Sequence, residues 1–216
     1  MILREMSLEE LAALRRDQMG LDFPPEELKP FAAMRALYDN GVYHPVGAFD
    51  SGGALLGYAL LWDAPGTKYV LIDYLGVPAA RRNGGLGGTI LRMLGDRFSD
   101  YDGIIVESEA LDGGPEDGLR RRRMDFYRRA GFRFLGYDCV LFGVHYAVCL
   151  LSPNGKGTEE EALAAHIALY RSQFTPRAYG AFIQIPRDPD HPLAPPESWA
   201  DLKTLPGLGE GSDESC

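Results

Sequence analysis

The chain has 216 residues, of which 45% are hydrophobic, 25% charged and 11% aromatic, enough apolar material for one folded domain with an extension or for two small ones. A net charge of −9 and a pI near 4.9 argue against a nucleic-acid-binding surface. No apolar run approaches the ~20 residues that cross a bilayer, so neither nucleic acid nor membrane is an expected partner. The three cysteines, Cys139, Cys149 and Cys216, lack metal-like spacing, and the first residues carry no apolar leader core. The expectation is free thiols in a reducing cytoplasm and no metal.

The acidity is uneven. Residues 157–216 hold 10 acidic and 4 basic side chains, whereas the rest is close to balance. This divides the chain into a core domain over 1–152 and an extension over 153–216.

In chain order, Met1 to Arg4 reads as a short strand, and Ser7 with Glu10 makes a capping-box pattern that opens a helix over 7–19. Pro24 and Pro25 open a second helical segment ending at Asp39 to Gly41, with Leu28, Phe31, Met34 and Leu37 on one stripe. Strands are expected at 42–49 and 54–62, joined through the turn at 50–53, and at 69–77. A glycine-rich turn at 83–88 leads into a helix with Ile90, Leu91, Leu94 and Phe98 on one face. A strand at 104–109, a helix at 119–130 stopped by Gly131, and strands at 133–141 and 146–151 follow. Thr158 with Glu161 caps a helix to about Phe174, and the proline- and glycine-rich remainder reads as irregular, its last residues as disordered. The order implies a mixed α/β (α+β) fold. A mainly antiparallel central sheet is flanked by helices and carries one β-α-β crossover over 69–109.

The glycine turn is the sharpest feature. A strand, the run Arg82-Asn83-Gly84-Gly85-Leu86-Gly87-Gly88 and a helix follow one another directly. Free N–H groups of the turn and of the first helical turn can converge on an anion, and glycines let a phosphate reach the main chain. The site fits a pyrophosphate; neither a Walker motif nor a GxGxxG fingerprint is present.

Arg82, Gly85 and Gly87 stand as R-x-x-G-x-G, and Phe126-Tyr127-x-x-x-Gly131-Phe132 follows about 40 residues later. With this pair of motifs and this order of elements, residues 1–152 resemble the GNAT superfamily of acyl-CoA-dependent N-acyltransferases. The resemblance implies acetyl-CoA as co-substrate. Its pyrophosphate would lie on amides from Arg82 to Gly88 and its pantetheine arm beside Leu75 to Val77, in a slot where the strands 69–77 and 103–109 splay. It also implies Tyr127 as the proton donor to the leaving thiolate, set against the reading of a core tyrosine. A backbone N–H near Val77 would face the oxyanion.

The base is open. Glu107 and Glu109 alternate onto one strand face, with Asp73 able to oppose them from the next strand. Either one accepts the acceptor's proton, or it pairs with arginines of the following helix. Arg120 and Arg123 stand where the family places an asparagine and an alanine, a departure that leaves the grip on that side of the cofactor unassigned; an inward role is read for one of the two. Tyr38, Tyr43, Tyr74 and Trp62 are aromatic candidates for the acceptor site, while His44 and His145 read as surface histidines. The expected activity is acetyl transfer to a primary amine of a small molecule or peptide, in a ternary complex without a thiol nucleophile. The alternative is a non-catalytic acyl-CoA-binding sensor. The extension would cover an edge, form a homodimer or cap the acceptor site.

Overall fold

A computed structural model describes residues 1–193. Its centre is an eight-stranded sheet in the order β1-β2-β3-β4-β5-β7-β6-β8. The strands are β1 Ile2–Glu5, β2 Tyr43–Phe49, β3 Leu55–Asp63, β4 Tyr69–Gly76, β5 Gly103–Glu109, β6 Arg133–Leu141, β7 Val144–Leu151 and β8 Ile183–Gln184. All neighbours are antiparallel except β4 and β5, the two ends of the crossover read from the sequence. The helices are α1 Leu8–Leu14, α2 Gly20–Asp22, α3 Phe31–Asp39, α4 Leu86–Arg97, α5 Asp117–Arg129, α6 Glu159–Gln173 and α7 Pro176–Phe182.

Strand alternation gives the sheet two apolar faces. Ala59, Leu61, Val70, Ile72, Ile104, Val106 and Cys149 face α4 and α5. Leu60, Trp62, Leu71, Ile105, Val148 and Leu150 face α1, α3, α6 and α7. Each face is closed by helices whose buried residues recur at helical spacing, such as Ile90, Leu91 and Leu94 of α4.

Three expectations need correction. The helix over 7–19 is α1 followed by a π-helical turn, Arg15–Met19. The helix expected from Pro24 is broken: a 3-10 turn, Pro25–Glu27, is followed by extended chain, and α3 starts only after Pro30. Proline has no N–H for a helix interior and drives its predecessor, Lys29, out of the α region. The segment from 175 holds α7 and β8 before its prolines take over. The end of the chain, with Cys216, lies outside the described residues. α6 begins as expected, with Thr158 Oγ1 accepting from Glu161 N at 3.2 Å. Through β8 the extension covers the edge of β6, and through α6 it lies over β4 and β5.

His44 on β2 donates to Asp63 across 2.8 Å and meets Glu5 at 3.0 Å. The bond to Asp63 raises its imidazole above the ordinary histidine value, with Glu5 adding and partial burial opposing. A raised folded-state value stabilises the protein below the unfolded value of ~6.5, and that contribution is lost as pH rises through the folded value. Urea titrations should therefore show the wild-type advantage over His44→Gln shrinking between pH ~5.5 and ~8.5. An advantage constant with pH would contradict this.

Candidate active site

β4 and β5 pair over only three residues each: Tyr69 with Gly103, Val70 with Ile104, and Leu71 with Ile105. Both strands continue. β4 stays on β3 as far as Gly76 opposite Tyr58, and β5 stays on β7 as far as Glu109 opposite Tyr146. The two strands therefore part beyond Leu71 and Ile105, leaving a slot in the sheet at the position expected for the splay. At its β4 lip the register shifts: Leu60 opposes Tyr74 and Leu61 opposes Ile72, so Asp73 is an extra, bulged residue. Asp73 and Glu107 each lie two residues past the last pair, on opposite lips.

At the far end of β4 the chain enters the glycine turn. Asn83 and Gly85 take left-handed backbone angles, with φ of +67° and +76°, and Gly85 is the residue from which α4 departs. No side chain caps α4, so the N–H groups of Leu86, Gly87 and Gly88 face outward without a capping oxygen. A Cβ at Gly85 or Gly88 would meet nothing within 4 Å, which leaves open space above the turn for an anion to approach. Gly87 has a different task. A Cβ there would lie 3.2 Å from the Phe126 ring, so Gly87 and Phe126, one from each motif, fix the contact between α4 and α5. Arg82 holds the turn from behind: Nε donates to Val77 O at 2.8 Å and a terminal nitrogen to Asp22 at 2.8 Å. Asp22, nearly fully buried, also accepts from Tyr58. Leu75 and Val77 line the α4 face beside the slot.

Tyr127 is buried between Phe126 and Phe132, with ring centroids at 5.2 and 5.5 Å, on the face that holds Val106 and Cys149. Burial raises its phenol above the ordinary tyrosine value; Cys149 adds and Arg123 opposes.

Glu107 and Glu109 have separate environments. Glu109 accepts from Arg120 at 3.0 Å and Arg123 at 2.8 Å; burial pushes its carboxyl up, but the two guanidinium bonds outweigh it and the net shift is downward. The inward turn of these arginines is the pairing left open by the sequence. Glu107 instead faces α6. Its Oε1 is 2.7 Å from His166 Nε2, and the Tyr170 hydroxyl donates to Oε1 and Oε2 at 3.0 and 3.1 Å. Opposite, Asp73 pairs with Lys29 and accepts from Tyr43 at 2.6 Å. Lys29 lies 4.9 Å from the Trp62 ring centroid and 5.9 Å from that of Tyr74. Of the aromatic candidates, Tyr43, Tyr74 and Trp62 thus converge here, whereas Tyr38 packs at the core's margin. The break at Pro30 is what carries Lys29 inward, where its N–H donates to the Tyr74 hydroxyl at 2.8 Å.

Sequence reading did not single out Lys29, His166 or Tyr170. Pro30 was the available signal for the first, and the spacing 162, 165, 166, 169, 170 for the others. Glu107, Cys139 and His166 bring three kinds of metal donor within 4.8 Å of one another, but both imidazole nitrogens already have hydrogen-bond partners, Glu107 and the Tyr137 hydroxyl at 3.2 Å. Burial pushes the Cys139 and Cys149 thiols up, which leaves neither suited to nucleophilic work. His145 pairs with Asp138 at 2.9 Å. No described helix is long and apolar enough to cross a membrane.

No protein-family model matches the chain, and no curated protein matches it in sequence. Solved structures do match in fold. A protein from Bacteroides thetaiotaomicron, described as an acetyltransferase of the GNAT family, superimposes with a TM-score of 0.62 at 21% identity, over 78% of this chain and 94% of that one. Spermidine N-acetyltransferase from Vibrio cholerae, in complex with CoA and spermine, matches with a TM-score of 0.54 at 11% identity, over 72% and 96%. The phosphinothricin acetyltransferase from Sinorhizobium meliloti, in complex with acetyl-CoA, matches with a TM-score of 0.52 at 18% identity, over 73% and 90%. The chain has the fold of the GNAT acetyltransferases.

The turn predicts contrasting substitutions. Gly85→Ala should cost about 1–2 kcal/mol in urea denaturation, because alanine resists the left-handed angle. Gly88→Ala should be neutral or stabilising by up to about 1 kcal/mol, since it adds helix propensity in open space.

Proposed function

We propose that the protein transfers an acetyl group from acetyl-CoA to the primary amine of a small molecule, by direct attack in a ternary complex. The observation that carries this reading is the slot between β4 and β5 running to an uncapped, glycine-built helix start. A flexible pantetheine arm can take the place of the missing strand pairs beside Leu75 to Val77, and a pyrophosphate the place of the missing cap. Amides of Asn83, Gly84, Gly85, Leu86, Gly87 and Gly88 would hold the diphosphate, with Arg82 keeping the turn in shape. Spermidine, phosphinothricin and aminoglycoside acetyltransferases of the same fold have been solved with CoA or acetyl-CoA, which supports this assignment.

The slot joins two chemically different faces. Glu107, on the α6 face, takes the proton that the acceptor ammonium must shed before its nitrogen attacks the thioester carbonyl. A backbone N–H near Val77 meets the oxyanion. As the carbon–sulfur bond breaks, Tyr127, on the opposite face, protonates the departing thiolate. Of the two carboxylates, Glu107 has the better claim: Glu109 is clamped by two guanidinium groups and ties α5 to β5.

Turnover is tested by CoA thiol release from acetyl-CoA against a panel of polyamines, aminoglycosides and simple primary amines. Tyr127→Phe and Glu107→Gln should each lower kcat by roughly 10²-fold or more with acetyl-CoA binding retained. Gly88→Val should instead weaken acetyl-CoA binding. Tight acetyl-CoA binding with no thiol release from any amine would overturn the enzymatic reading in favour of a sensor.

A further inference from the structure

The shortest side-chain hydrogen bond of Glu107 comes from outside the part of the chain that carries the motifs. His166 lies at the middle of α6, has no solvent exposure, and bonds at both ring nitrogens. As a proton acceptor Glu107 is ionised and can only accept, so the hydrogen between His166 and Glu107 sits on Nε2. Nδ1 is then free to accept from the Tyr137 hydroxyl, and the order Tyr137 O–H, imidazole, Glu107 has one consistent direction. The bonds on Glu107 are unequal. Oε1 is held by both His166 and Tyr170, whereas Oε2 has Tyr170 alone. The pair therefore fixes the carboxylate by one oxygen and leaves lone-pair capacity on the other.

We propose that His166 is a positioning residue for the acyl transfer, a role that rests on the reading of Glu107 as proton acceptor. Its Nε2–H holds Oε1 so that Oε2 meets the acceptor's ammonium, and Tyr137 holds the ring in the tautomer this needs. The groups facing the dyad are Tyr137 and Cys139 from β6, Tyr146 from β7, Tyr170 from α6 and, across the slot, Asp73 from β4. The C-terminal extension is then part of the catalytic apparatus rather than a cover laid over it.

The test uses the full chain with acetyl-CoA and an amine that the wild type acetylates. His166→Leu should lower kcat roughly 10- to 100-fold while leaving acetyl-CoA affinity unchanged. His166→Gln, which keeps an N–H donor at about the same reach, should recover most of that loss. In a Glu107→Gln background, His166→Leu should add little. Unchanged kcat per folded molecule in His166→Leu, or losses that multiply in the double variant, would overturn the proposal while leaving the acetyltransferase reading intact. Absence of any wild-type turnover would remove both. Should His166→Leu fail to fold, nitrogen NMR of the wild-type ring decides: hydrogen on Nε2 with Nδ1 bare is expected, and hydrogen on Nδ1 alone overturns the assignment.

Discussion

A strand inside a sheet must give each peptide group a partner, and an N–H or C=O left without one in a dry interior costs about 1–3 kcal/mol. β4 and β5 meet that requirement for three residues and then part, although each is still pinned on its other side. The slot is therefore walled by strands paired on their outer sides, and the peptide groups along its lips have to be answered by water or by a bound molecule. A narrow, extended ligand rich in amides fits such a demand better than a compact one. A bulge bends its strand, and the one at Asp73 sits just past the last residue of β4 that pairs with β5. Everything proposed for the chemistry depends on this one failure of pairing, because it is what connects the two faces of the sheet.

The two faces of the sheet differ in polarity beside the slot. On the α4 and α5 side Tyr127 lies in an apolar setting of aromatic rings, and burial raises its phenol. The α6 side holds two carboxylates on opposing lips, with Lys29, His166 and four aromatic hydroxyls about them. Lys29 and Asp73 are each about nine-tenths buried at the side chain, and removing one partner of such a pair leaves a charge that costs about 3–5 kcal/mol. The pair therefore fixes the Asp73 lip in place, while Glu107, whose neighbours are hydrogen-bond donors of another kind, faces it across the gap.

Much of this was legible in the sequence because local rules and the fold agree there. The hairpin, the crossover and the glycine turn each have residues that admit few other conformations, and the shared strand face of Glu107 and Glu109 was read from period-two alternation. The break at Pro30 was written in the chain but was overridden by an apolar stripe at three-residue spacing through Leu28, Phe31, Met34 and Leu37, which mimics a helix across an extended stretch. Glu107 and Glu109 share a strand parity, yet their partners differ because α5 supplies guanidinium groups at the end of β5 and α6 supplies hydroxyl and imidazole groups further in. Strand parity cannot tell which helix reaches which position. α6 was the least visible element of the candidate site: its buried stripe contains a histidine and a tyrosine, so an apolar count sees only a weak pattern, and what that stripe meets is a tertiary property.

The placement of His166 nevertheless follows from lengths. Tyr69 stands at the first rung of the β4–β5 pairing, opposite Gly103, and its hydroxyl accepts from Thr158 N at 3.2 Å and reaches Glu161 at 3.1 Å. The start of α6 is thereby tied to the base of the slot. From Gly103, four strand residues lead to Glu107, a distance of about 13 Å. From Thr158, eight helical residues lead to His166, a distance of about 12 Å. The helix and the strand leave the same anchor and cover nearly the same length, so the ring arrives beside the carboxylate. One further helical turn brings Tyr170 onto that carboxylate from the same face of α6. An insertion of one residue between Thr158 and His166 would rotate the stripe by about 100° and carry the imidazole away from Glu107. The extension is thus set in phase with the slot by its own cap.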